Sequence, residues 1–492
     1  MKKILNKILN GALNKTLIAL LFSSSLFYSC DFLDFEPEGS VPQEEFFSTK
    51  EQAAQAMTSM YGYLRGWNIT GFSYLFISEL TSDNIIKGSS PGDGDWAKSY
   101  TRFTFAKSEG QINDYWTSRY TAINLSNQVI HNIPTMSTAE VPQELKDRYV
   151  AEAKFLRAFH YFYLTRAFGG VVIMETSVSD PASVGAKYRK TQEECYDFIE
   201  KDLLEAIAVL PANLPSAELG RANVWAAKGI LAKVYLYQEK WAESKALTDD
   251  IINNGGFILY PNFYDIFRHE QEFCSESLFE VLATEVIGNS AISNSSFCDI
   301  QGVRGQYGWG WMVPSDNLAT AFDAEGDVVR KKATIIYRGD ITPDGDTIKG
   351  VEVMDEVAIP RYSAKAYVAP KYSSVQGYGQ DYNVRILRFA EILLMNAEAA
   401  LYLGTDAATP LNMVRARVNL APKSNPTITD IYTERRLELA CEQDRFFDLV
   451  RTKQAATLLT PQGFKVDKNE LFPIPENEIR KSGGTLIQNP GW

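Results

Sequence analysis

Residues able to do bond-breaking chemistry are sparse in this chain. Its three histidines, His131, His160 and His269, form neither an HExxH helix nor any paired metal spacing. No G-x-S-x-G elbow, phosphate-cradling Walker loop or dinucleotide fingerprint occurs. Cys195, Cys274, Cys298 and Cys441 make no CxxC pair and no zinc pattern. In an exported chain a Cys274–Cys298 bridge is possible. Cys195 and Cys441 lie in helical runs, where a small buried hydrophobe is the default. Asp340, Asp344 and Asp346 offer oxygen ligands for calcium, but without EF-hand spacing, so a turn with solvated acids is the preferred reading. No metal and no cofactor is therefore expected. Any two carboxylates close in space would serve as a glycosidase pair, and sequence spacing does not show which.

A dense charge block, Glu434 to Arg451, resembles a reactive cluster at first sight. Glu442–Arg445, Arg445–Asp448 and Asp448–Arg451 are each three residues apart, the spacing of an ion-pair ladder along one helix face. The block is expected to be structural.

The informative side chains are aromatic. Trp96 and Tyr100 flank the Gly/Asp loop 88–95, and Tyr307, Trp309 and Trp311 interrupt the glycines of VRGQYGWGWMVP. Indole and phenol rings present an apolar face and a polar edge, which suits sugar rings and peptide backbones alike. Asp93, Asp95 and Gln306 could meet sugar hydroxyls beside them. Local packing is the competing role for each ring. Trp116, Trp225 and Trp241 lie in helical runs and are expected in the core. The two loops, far apart in the chain, are expected to converge on one ligand site.

Something must hold those loops. Tyr149 to Gly170 is apolar on nearly every face, which marks a helix buried among other helices. Glu152, Lys154, Arg157 and Arg166 are its positions left for solvent. Pro142 suits its first turn and Gly169-Gly170 its stop. His160 is expected as a hydrogen-bonded core residue. Ser48–Glu51 reads as a capping box for a helix running to Gly66, and Thr191–Glu194 as another. A further helix is expected from Asn113 to Ile133. Ala226 to Ile252 and Leu387 to Val418 each read as helix, turn, helix with a small-residue seam, close to the tetratricopeptide pattern. Residues 257–386 are rich in Gly, Tyr, Ser and Pro, with strand-like runs at Ser277–Leu282 and Thr334–Tyr337.

The N-terminus addresses the chain elsewhere. Four lysines precede an apolar run from Leu17 to Tyr28, then Ser29 and Cys30. This reads as a secretory signal over 1–29 ending at a cysteine that is acylated as the new N-terminus. A plain signal with an incidental cysteine is the alternative. The formal charge of −12 disfavours binding nucleic acid through the general field.

The run AKFLRAFHYFYLTRAFGG closely resembles the signature of SusD/RagB lipoproteins, cell-surface nutrient-capture proteins of Bacteroidetes. Leu387–Ala400, Glu434–Arg451, Leu471–Ile479 and Gln488–Trp492 resemble further landmarks in family order. The resemblance implies a mainly α fold: tetratricopeptide-like helix pairs in an α-α superhelical scaffold with a loop-rich, small-β insertion. It divides the chain into a signal (1–29), an N-terminal helical part (30–256), a loop-rich ligand-facing region (257–386) and a C-terminal helical part (387–492). It also implies lipidation at Cys30, an outer-membrane surface location, and a SusC-like TonB-dependent transporter as partner. The cargo would be an oligosaccharide, captured without catalysis. An oligopeptide cargo, an exported glycoside hydrolase and a protein-binding helical scaffold are the alternatives.

Overall fold

The central helix forms as its composition requires. We describe it from a computed structural model that covers residues 46–177, 188–283, 296–306, 308–372 and 381–492. The expected signal over 1–29, Cys30 and Tyr307 lie outside the described residues. Of the N-terminal unit, 1–48, the described part is Phe46–Ser48, while residues 49–492 form one compact unit.

Within that unit the long helices are α1 (Lys50–Gly62), α2 (Phe72–Ser78), α3 (Gly110–Asn132), α4 (Gln143–Phe168), α5 (Gln192–Ile207), α6 (Val224–Tyr237), α7 (Trp241–Asn254), α8 (Phe389–Tyr402) and α9 (Ala408–Arg417). From α3 to α9 each packs against the next, as stacked helix pairs do when no pair can cover its own apolar face. The fold is mainly α, with tetratricopeptide-like pairs, as expected.

Every residue of α4 from Phe155 onward is buried. Its charges are the exception to the sequence reading. Glu152, Arg157 and Arg166 do not face solvent. Arg157 forks onto Asp202 at 2.7 and 2.8 Å, Arg166 donates to Asp444 at 2.8 Å, and Glu152 accepts from Arg148, Arg221 and Tyr61. A charge at a bundle centre persists only when it is paired. His160 is in the core, 3.1 Å from Arg119, and burial together with that guanidinium pushes its imidazole well below the usual pKa. Pro142 stands one place earlier than expected, at the N-cap. Gly169 ends the helix at φ 71°, and a Cβ on Gly170 would stand 1.9 Å from the Lys190 carbonyl oxygen.

Other boundaries shift slightly. The first capping box is Thr49 with Gln52, one residue later than read. Gly66 follows a 3-10 turn at φ −52°, so it is no left-handed stop. Trp116 is buried, whereas Trp225 and Trp241 are half-buried, Trp241 stacking on Tyr402 at 4.1 Å.

The charge block 434–451 is not one helix. It splits into α10 (Ile428–Glu438) and α11 (Arg445–Arg451), because Cys441 and Gln443 adopt φ of 66° and 76°. Only Asp448–Arg451 survives of the predicted ladder, at 2.8 Å. Arg445 instead forks onto Asp83, and Glu442 pairs with Lys365 and Arg388. Asp444 binds Arg166 and Lys233; Lys233 continues to Glu391, Glu391 to Arg435, and Arg435 to Asp448. Burial alone would push Asp444 up, but Lys233, Arg166 and Arg435 outweigh it and hold the carboxyl well below the carboxylate range. The block is structural, as a through-space network.

Among the described residues, six short strands form three antiparallel ribbons. β2 (Ser277–Val281) pairs with β6 (Val384–Arg388), and β4 (Ile335–Tyr337) with β5 (Arg361–Ser363). β1 (Ile85–Lys87) pairs with β3 (Met312–Pro314), Ile86 opposite Val313. Cys274 carries an unbridged thiol, so the Cys274–Cys298 bridge is not formed. Asp340 and Asp346 hold a turn: Asp340 accepts from the Tyr337 amide at 2.8 Å and Asp346 from the Tyr367 hydroxyl at 3.4 Å.

Candidate functional site

The β1–β3 ribbon brings the two aromatic loops together. β1 leads into loop 88–95 and β3 ends the run that carries Trp309 and Trp311. Past the ribbon the Gly88 amide donates to the Trp311 carbonyl at 2.7 Å, and the Trp311 amide donates to that of Ile300 at 2.8 Å. So close an approach needs glycine. A Cβ on Gly88 would stand 2.6 Å from the Gly310 carbonyl oxygen, and one on Gly94 (φ 67°) would meet the Trp311 ring at 3.1 Å.

Helix α2 supplies a floor. Phe72 and Phe76, four residues apart, share one face. Trp96 stacks on Phe76 with centroids 5.1 Å apart and planes 6° apart, and Trp67 stacks on Phe72 at 5.3 Å. Trp309 lies 5.6 Å from Trp67; Trp311 lies 5.9 Å from both Trp309 and Trp96. Four indoles thus form a row, Trp67–Trp309–Trp311–Trp96, over two phenylalanines. Trp67 and Trp96 keep 42% and 43% of their surface exposed, far more than packing alone would leave on so large a ring. Trp309 and Trp311 are half-buried.

Two models of one family match successive parts of the chain. One, described as starch-binding associating with outer membrane, covers residues 31–236; the other, described as the SusD family, covers 279–492. The chain belongs to the SusD/RagB family. SusD-like protein P2 of Formosa agariphila is 26% identical over 97% of this chain and 99% of its own length. The starch-binding protein SusD of Bacteroides thetaiotaomicron is 23% identical over 70% of this chain and 73% of its own. A laminarin binding SusD-like protein of known structure superposes with a TM-score of 0.78 at 27% identity, covering 90% of this chain and all of that one.

Within this SusD/RagB chain the predicted site residues take different places. Trp96, Trp309 and Trp311 come together in the row. Tyr100 does not join them: it is fully buried beneath Phe76, 5.0 Å away, where its ring supports the floor. Asp93 is a latch between the loops, accepting from Ser89 (2.7 Å), Arg304 (2.6 Å) and the Trp311 indole N–H (3.1 Å). Its geometry orients Trp311 rather than reaching outward. Gln306 is likewise committed, donating to the Thr347 carbonyl and accepting from the Lys349 amide. Asp95 remains open beside Trp96, paired with Lys98 at 3.0 Å. Sequence reasoning missed Trp67 and the phenylalanine floor. Glycines at 66 and 71 bracket Trp67, the same signal that singled out the other loop rings.

Proposed function

We propose that this protein captures an oligosaccharide on the Trp67–Trp309–Trp311–Trp96 row without breaking bonds. The observation that carries the reading is the convergence of these half-exposed rings from separate loops on a rigid floor. Flat indoles offer apolar faces to sugar rings, and ordering them on binding costs little entropy because the floor already holds them. Relatives named for laminarin and starch binding support a glycan as the cargo. Asp93 has three donors on its carboxylate, which leaves it poorly suited to general acid or base work. The same proposal includes acylation at Cys30, anchoring at the outer-membrane surface, and transfer to a SusC-like TonB-dependent transporter. Family membership and the signal-like N-terminus support those parts, and no helix among the described residues is long and apolar enough to cross a membrane.

The test is calorimetry of purified protein with neutral oligosaccharides and with a peptide pool, paired with product analysis after long incubation. Saturable glycan binding with intact oligosaccharide recovered is the expected result. Shortened products would indicate a hydrolase, and binding confined to peptides would indicate the oligopeptide cargo.

A further inference from the structure

The charges bordering the ring row are balanced among themselves. Arg304 donates to Asp93 at 2.6 Å. Lys98 lies 2.7 Å from Asp355 and 3.0 Å from Asp95, and buried Lys87 lies 3.4 Å from the same Asp355. Arg102 reaches Glu356 at 2.5 Å. The Asp355 amide donates to the Ser89 carbonyl at 2.8 Å, which seats these two acids against loop 88–95. Among the described residues of both loops, every Lys and Arg is thus committed to a carboxylate. Arg65, just before Trp67, folds back over α1, its Nη2 3.5 Å from where a Cβ on Gly62 would stand. The charged group that stays exposed next to Trp96 is an acid: the Asp95 side chain, paired with Lys98, is 58% exposed.

We infer that the platform selects an uncharged glycan, a hydroxyl-rich chain without carboxylate or sulfate substituents. This rests on the glycan reading above. An ionised carboxylate only accepts hydrogen bonds, so Asp95 favours a ligand that arrives with hydroxyl donors. An anionic substituent would instead face Asp95, find the cations of both loops already paired with carboxylates, and approach a chain of net charge −12. Attraction to hydroxyls and repulsion of anions act together, which is how a site gains selectivity beyond contact area.

The experiment is calorimetry of the purified protein with three size-matched ligands: a neutral gluco-oligosaccharide, an oligouronate and a sulfated gluco-oligosaccharide. Each is titrated at low and at high sodium chloride. The neutral chain should bind with a Kd that moves less than about twofold with salt, while both anionic chains bind at least about tenfold more weakly, most of all at low salt. Asp95→Lys should narrow that gap by at least about threefold. An anionic chain bound as tightly as the neutral one, or a gap unmoved in Asp95→Lys, overturns the inference. A separate failure is recognisable: if the neutral chain binds but Trp96→Ala and Trp309→Ala leave its affinity unchanged, the platform is not the site and both readings fall. Absence of binding by all three ligands has the same consequence.

Discussion

Single side chains divide this site into those that touch and those that hold. In the proposed reading Trp309 and Trp96 touch the ligand; in the fold each rests on other rings, Trp96 on Phe76 and Trp309 against Trp67 and Trp311. Removing a central ring of a binding site costs about 2 kcal/mol or more. Trp309→Ala or Trp96→Ala should therefore weaken glycan binding at least about 30-fold, with the melting temperature nearly unchanged. Trp116→Ala is the control, since its ring is buried against Phe168 at 4.9 Å and its loss should lower the melting temperature instead. Equal affinity in wild type and both loop variants, read by calorimetry, would take these rings out of the site. The ring positions were legible because indoles set among glycines have no core to enter. The roles of Asp93 and Gln306 were not, because each depends on partners from distant segments, Arg304 and Trp311 for one, Thr347 and Lys349 for the other. Tyr100 shares its loop with Trp96, yet one turn of chain carries it from surface to interior.

Among elements, α2 and α4 matter most. Phe159 in α4 is fully buried, 4.3 Å from Tyr163. Emptying such a site costs about 3–5 kcal/mol, so Phe159→Ala should lower stability by that amount in denaturant unfolding. A melting temperature that barely moved would displace α4 from the core. At the end of α2 stands Glu79, whose carboxylate accepts from the Gln443 amide at 2.6 Å and so ties the platform floor to the C-terminal block. Burial pushes this carboxyl from 4.5 up to about 8, with Asp444 and Glu442 adding to burial and the Gln443 amide and Lys365 opposing it. Between those values the folded chain keeps a proton the unfolded chain has lost. Stability therefore falls as pH rises through the window, by up to about 1.4 kcal/mol per pH unit, and levels off above it. Glu79→Gln keeps the acceptor and removes the titration. Its stability relative to wild type should rise from about pH 5 to about pH 9, whereas parallel curves would mean that Glu79 is ionised in the fold throughout. The apolar run of α4 showed plainly in the sequence as a helix without a polar face. Its inward charges did not, since their partners come from elsewhere in the chain, Asp202 from α5 and Asp444 from the N-cap of α11. The 434–451 ladder failed for two reasons: residues with positive φ at Cys441 and Gln443 break the helix between Glu442 and Arg445, and within α11 Arg445 turns to Asp83 instead of Asp448.

At the scale of the whole molecule, a chain of buried ion pairs ties α4, α6, α8, α10 and α11 together through Asp444 and Arg435. Asp444 is held well below its unfolded range, so it contributes stability above that range that is lost as pH falls through it. Removing one partner of a buried pair strands the other charge, at a cost of about 3–5 kcal/mol. Asp444→Asn should show a loss of that order near neutral pH and a shallower acid transition than wild type; an unchanged acid midpoint would assign acid lability elsewhere. The proposed anchor is also a whole-molecule property. Stable attachment needs more than one acyl chain, each contributing about 0.8 kcal/mol per buried CH₂. Cys30→Ala should release the protein from membranes, and a variant that stays bound, beside wild type lacking lipid by mass spectrometry, would refute lipidation there. Helix pairs were visible in the sequence because small residues recur at fixed spacing, whereas the order in which the pairs stack depends on seams that no single segment displays.

The three-residue ribbon that seats Ile86 opposite Val313 also sets a sequence in time. Synthesis delivers the N-terminal side first, so Trp67, Phe72, Phe76 and Trp96 exist well before Trp309 and Trp311 do. Local helices can form early, but a pairing that closes so long a loop comes late. A chain stopped short of β3 would carry half a platform with nothing to hold it at the right height. Ligand-binding ability should consequently appear last during refolding, after the helical signal has already returned to its final value.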